Sequence, residues 1–263
     1  TMSSVTLFDV LMKPLALVFQ LVAQAGKGML PLFSYTLAEQ EKATSARKYF
    51  LTLSSLVNGL GLTLLLCLGC FYGEVVSFFS SNNFHWKDIQ PGFLFAMLAT
   101  WMTCLQMPAT LYLLADSDQS FLSKTTLAMG VSNLLLSFWL IHPLGYLGAI
   151  LGTVIPQFVQ QQLLLIPRAC RKLNITYLEY LWDVHFKTLP LALFTLLWLL
   201  GFRQLVSHYL SLNIGIILGI CFSALCSTCF FYLLVLAPQE QKQFVQSRLS
   251  VFLDKQKLNP QSG

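Results

Sequence analysis

Charge is scarce in this sequence. Asp, Glu, Lys and Arg make up 10% of its 263 residues, where an ordinary soluble domain carries about 25%. That excludes a water-soluble globular domain. The formal net charge is +5, yet no block of Lys and Arg gathers on a soluble face, so a nucleic-acid partner is not expected. Catalytic signatures are missing too. His85, His142, His185 and His208 fall in separate loops or span ends without ligand spacing, so no metal site is expected. There is no glycine-rich phosphate loop: Gly59, Gly61, Gly69 and Gly73 lie inside an apolar stretch, where they let helices approach closely. Asp116-Ser117-Asp118 has the form of the acidic DxD of metal-dependent glycosyltransferases. With no nucleotide-binding domain around it, it reads as a turn and helix cap. A glycan polymerase would need large loops with catalytic residues, and the longest on the far side is about Ser80 to Gly92. No enzyme and no cofactor are expected. No charged segment precedes the first apolar run, which argues against a signal peptide.

What the chain has instead is long apolar runs, with 56% hydrophobic residues and a mean hydropathy of +0.66. Runs of about 20 such residues cross a bilayer. They occur near 6–33, 51–79, 93–115, 121–141, 146–167, 187–208 and 212–237. The expected fold is all-α: a polytopic integral membrane bundle of about seven transmembrane helices over residues 1–238. A cytoplasmic tail follows over 239–263, where Phe244, Val245, Leu249, Phe252 and Leu258 are spaced as in an amphipathic surface helix. Breaks are expected near Gly26, Gly28 and Pro31, with kinks at Pro108 and Pro156.

Basic residues concentrate in alternate loops. Lys42, Arg47, Lys48, Lys124, Arg168, Arg171, Lys172, Lys187 and the tail's Lys242, Arg248, Lys255 and Lys257 share one side; Lys87 and Arg203 take the other. By the positive-inside rule the C-terminus is cytoplasmic. Arg168 to Trp182 mixes basic residues with Tyr177, Tyr180 and Trp182, an interfacial belt that contacts membrane lipids.

Polar residues inside the spans are the remaining clue. Cys67/Cys70 and Cys226/Cys229 each form a CxxC within an apolar run without acidic or histidine neighbours, and read as small apolar helix residues. Asn58, Thr63, Gln106, Asn133, Gln157, Gln160, Gln161 and Gln162 read first as helix–helix hydrogen bonds. The first span differs because it holds formal charge. Thr6, Asp9, Lys13, Gln20, Gln24, Lys27 and Pro31 fall within a sector of roughly 60° on a helical wheel. An ion at the bilayer centre costs about 2.5–3.5 kcal/mol on insertion scales, so the stripe must face a wet cavity or a partner. In one reading it lines a path for an anionic substrate, with Lys13, Gln20, Gln24 and Lys27 as substrate contacts and Asp9 as an ion-coupling group. In the other, Asp9 and Lys13 pair at i and i+4 while Lys27 snorkels.

The layout resembles the second lobe of polysaccharide flippases of the multidrug/oligosaccharidyl-lipid/polysaccharide exporter superfamily. The resemblance rests on Met29-Leu30-Pro31-Leu32-Phe33-Ser34 before a charged stretch (AEQEKATSARKYF), on LYLLAD before a polar turn, and on Asn133 in SNLLLSFWLI. It rests also on the hairpin HPLGYLGAILGTVI with Pro143, Gly145, Gly148 and Ala149, and on RKLNITYLEYL. It implies the later helices of a twelve- to fourteen-helix transporter whose first lobe would be a partner. That transporter would flip polyprenyl-pyrophosphate-linked oligosaccharide, an anionic lipid-linked glycan, across a bacterial inner membrane for surface polysaccharide synthesis. A drug or cation antiporter of the same superfamily, or a half-transporter inactive alone, are the other outcomes.

Overall fold

The computed structural model describes residues 4–38, 43–74, 86–209 and 214–231. Among these the fold is an all-α helical bundle without strands. Six helical stretches are long and apolar enough to cross a membrane: Met12–Ala38, Ser45–Cys70, Gln90–Ala115, Gln119–Leu144, Tyr146–Lys172 and Tyr177–Gln204. A shorter apolar helix, Ile216–Cys229, stands at the seventh expected position. The chain is thus a multi-pass membrane protein. The expected tail helix over 239–263 and much of the loop from Ser80 to Gly92 lie outside the described residues.

The first span is two helices, α1 (Ser4–Gly26) and α2 (Met29–Ala38). The expected break falls at Lys27-Gly28, where the Lys27 amide still donates to the Gln24 carbonyl at 3.3 Å. Pro31 does not end the helix. It occupies the first turn of α2, where its missing N–H removes no helical bond. Next come α3 (Ala43–Cys70), α4 (Trp86–Ala115) and α5 (Gln119–Leu144). Helix α4 runs through Pro91 and Pro108 without interruption.

The fifth span changes pitch. Helix α6 (Tyr146–Phe158) passes into a π-helical stretch, Val159–Leu165, and then α7 (Ile166–Lys172). Pro156 and Pro167 bracket this stretch, and each removes a main-chain donor. The wider i→i+5 ring accommodates that loss. Helix α7 ends at Asn174, whose φ of 53° is the left-handed conformation Asn tolerates, and Ile175 N–H closes on the Cys170 carbonyl at 2.9 Å.

The sixth span begins at Tyr177, ten residues before its expected start near 187. Thr176 caps α8 (Tyr177–Tyr180) by accepting from the Glu179 amide at 3.2 Å. A second π-helical stretch, Leu181–Phe186, leads into α9 (Leu189–Tyr209); α10 (Ile214–Phe231) completes the bundle. Hydropathy misses the first ten residues because Glu179, Asp183 and Lys187 depress it. In the fold these charges are paired, Glu179 with Arg47 and Asp183 with Lys187.

Three apolar cores hold the helices together. One joins Phe33, Phe50, Tyr112, Ile166 and Tyr180; another joins Leu15, Val18, Tyr72, Phe93 and Ile150; the third joins Phe71, Leu199, Ile217 and Ala224. Helix α5 is peripheral. It packs on α6, and its far side exposes Leu134 (72%) and Trp139 (77%), as a lipid-facing surface would. Gly145, at φ 58°, joins the two helices, and a Cβ at Gly148 would lie 2.1 Å from the Leu140 carbonyl oxygen.

Candidate functional site

The stripe of the first span faces out of the bundle. Lys13, Gln20, Gln24 and Lys27 are all exposed, while Leu15, Val18 and Val22 from the opposite face of α1 are buried in the cores. Exposed Leu17 and Leu21 stand among the polar residues. The side chains of Thr6 and Asp9 lie outside the described residues. The four substrate candidates therefore share one surface of α1 and its junction with α2. They line none of the described cavities. One cavity, about 270 Å³ between α2, α3, α9 and α10, is apolar and bounded by Met29, Val57, Leu60, Leu191, Leu225 and Cys229.

The polar residues within the spans mostly bond between helices. Asn58, 1% exposed, sits midway along the Ser45–Cys70 span. Its amide donates to the Val184 carbonyl at 2.7 Å and the Thr188 hydroxyl at 2.6 Å, and its oxygen accepts from Trp101 Nε1 at 2.9 Å. This ties α3, α4 and the sixth span together and leaves Asn58 little capacity for a sugar hydroxyl. Gln157 donates to Thr103 Oγ1, Gln160 to Thr126 Oγ1 at 3.4 Å, and Gln162 accepts from the Tyr177 hydroxyl at 2.9 Å. Asn133 accepts from Ser137 and Thr153. Gln161 stands apart: it is fully buried in the π-helical stretch, and neither amide atom has a partner.

At the basic end of the bundle, Asp116-Ser117-Asp118 forms the expected turn, with Ser117 at φ 58°. Asp118 takes the N-cap position of α5 but makes no capping hydrogen bond with its side chain. Its carboxylate accepts instead from Arg168 Nε at 3.0 Å and pairs with Lys172 at 3.1 Å, while Asp116 also pairs with Lys172. Bonds to two cations outcompete one neutral backbone amide. Burial pushes the Asp118 carboxyl up, but the hydrogen bonds and charges of Lys172 and Arg168 outweigh that and hold it below the usual carboxylate range. At the opposite end, Arg203 donates to the Cys70 carbonyl and to Glu74 Oε1, the latter at 3.0 Å.

The cysteines of both CxxC pairs are free thiols. Among the described residues no three His, Cys, Asp or Glu side chains converge as a metal site would require. Hydropathy alone places His185 ahead of the sixth span. His185 lies inside that span, with its ring centroid 5.7 Å from Trp101 and 6.0 Å from Tyr180.

No protein-family model, curated protein or solved structure matches this chain.

Proposed function

We propose that the chain is the second lobe of a transporter that flips polyprenyl-pyrophosphate-linked oligosaccharide across the bacterial inner membrane, with its C-terminus in the cytoplasm. One observation carries the reading. A membrane-length helix otherwise rich in Leu, Val and Ala presents two lysines and two glutamines in line on its outward face. Lipid is a poor neighbour for that face, and a water-filled cleft against a first lobe is a good one. Lys13 and Lys27 attract the anionic pyrophosphate. Gln20 and Gln24 supply donors and acceptors for sugar hydroxyls. Asp9 is the first-span candidate for ion coupling. No bond is made or broken; one lobe rocks against the other around the bound head group. The lysines favour an anionic substrate over the cationic substrates of drug antiporters.

Complementation tests this. In a flippase-deficient strain, the protein joined to its first lobe restores surface glycan, and Lys13→Ala with Lys27→Ala lowers export at least tenfold, the equivalent of about 1.4 kcal/mol in the limiting step. Wild-type export by the double variant removes the stripe from the substrate path.

A further inference from the structure

We propose that His185 is a proton-binding site inside the bundle, whose charge state is read by Trp101 and by the hydrogen-bonded knot around Asn58. Glu179 and Arg47 pair at the basic end of the bundle. Asn58 lies about 16 Å of helix beyond Arg47, at 1.5 Å per residue. Its side chain bonds to the carbonyl of Val184, the residue before His185. An ionisable side chain at such depth is costly when charged, and in membrane proteins such residues mark ion and proton pathways.

The His185 ring meets Trp101 and Tyr180 at steep angles, 73° and 80°. An aromatic face attracts a cation placed over it within about 6 Å. Trp101 packs against two of the three cores and donates to Asn58. The backbone of His185 belongs to the same knot: its carbonyl accepts from the Thr188 hydroxyl at 3.0 Å, and that hydroxyl also accepts from Asn58. Protonation thus acts on both sides of one junction between α3, α4 and the sixth span. The π-helical stretch that carries His185 is a local distortion of the kind frequent at functional sites.

On the elements packed here, Asp183 pairs with Lys187 and Glu179 with Arg47, and Lys48 is exposed. The neutral titratable group in ring contact is Tyr180, on which Tyr177 stacks in turn. The carboxylates are already engaged by cations, so a proton at His185 adds a positive charge rather than completing a pair. His185 is half-buried, which leaves the ring accessible to a proton.

Tryptophan emission of the full chain in lipid nanodiscs, titrated from about pH 8 to about pH 5, tests the site. An imidazolium in ring contact quenches indole emission. Subtracting the Trp101→Phe titration from wild type isolates the Trp101 signal. We expect that signal to fall by about half in a single one-proton step, absent in H185Q and retained in H142Q. A flat wild-type difference, or the same step in H185Q, overturns the proposal. Helical content and elution of each variant are checked first; if H185Q fails to fold, H185N replaces it with the same criterion. A coupling role for this proton rests on the transport reading, and proteoliposomes holding both lobes separate the two. Gradient-driven flipping lost in H185Q, with downhill exchange kept, supports coupling. Flipping whose dependence on the pH gradient survives H185Q overturns coupling, whereas a fluorescence step without any flipping keeps the proton site and overturns the transport reading.

Discussion

Asn58 shows what a single polar side chain does where no water competes for it. It makes three hydrogen bonds to three partners on two other spans. Replacing it with Leu strands the Trp101 indole N–H, while the Val184 carbonyl keeps the Thr188 hydroxyl at 2.7 Å, and costs about 1–3 kcal/mol. Reversible unfolding in mixed micelles measures this. A double-mutant cycle with Trp101→Phe assigns the pair a coupling of roughly 0.6–1.7 kcal/mol. That Asn58 bonds within the protein was legible from a lone amide in an apolar run. Its partners were not, because Val184 and Thr188 lay in what hydropathy assigned to a loop and a span edge. Asp118 makes the complementary case outside the membrane. Its pKa is lowered in the fold, so its contribution is complete above the unfolded carboxylate pKa near 3.9 and is lost as pH falls through the lower folded value. Asp118→Asn should lower Tm by about 2–4 °C near neutral pH, the effect of ~1 kcal/mol in a chain of this size. The difference between variant and wild type should close in strong acid. An unchanged gap across that range would mean that the carboxylate acts through shape and not charge.

Among the elements, the hairpin of α5 and α6 was the most legible. Pro143, Gly145 and Gly148 stood in a hairpin pattern in the sequence; in the fold Gly145 adopts a positive φ and Gly148 meets the α5 backbone. Gly148→Ala must move two helices apart, since its Cβ would stand 2.1 Å from a carbonyl oxygen that has no rotamer to escape into. We expect a loss of about 1–3 kcal/mol. Gly130→Ala on the same hairpin meets open space and should be neutral or gain up to about 1 kcal/mol from helix propensity. Thermal denaturation of the two variants side by side is the measurement; equal losses would show that helix propensity, not packing, governs this hairpin. The π-helical stretches were not legible. An extra residue per turn leaves little trace in a hydropathy profile, because the apolar period is merely displaced. Pro156 signalled a disturbance, but its form depends on how Gln157, Gln160 and Gln162 find Thr103, Thr126 and Tyr177 across the bundle.

At the scale of the whole molecule, what matters is which surface is wet. The described bundle buries its interhelical polar groups and carries the pairs of Arg47, Lys172 and Arg203 toward its two ends, with Asp183–Lys187 inside the sixth span, and the outward face of α1 stands out as a polar surface along a membrane-length helix. Its wheel was plain in the sequence, and the fold adds that the opposite face, with Leu15, Val18 and Val22, is locked into the cores. Helix α1 therefore cannot rotate its stripe inward without dismantling two of the cores. Either water or lipid covers Lys13, Gln20 and Gln24, and the alternatives differ in one observable. Thiols react with maleimide as thiolates, which form in water and not in hydrocarbon. In a background whose seven cysteines are replaced, and with the proposed first lobe present, Cys at positions 13, 20, 24 and 27 should react with a membrane-impermeant maleimide. Cys at 15, 18 and 22 should not. Positions 17 and 21, exposed apolar neighbours of the stripe, locate its edge. On the proposed transport reading, an anionic substrate should protect positions 13 and 20 more than position 27, which lies next to the helix break and nearer the basic end. Reaction at 27 alone would mean that the stripe faces lipid and that Lys27 simply snorkels to the interface.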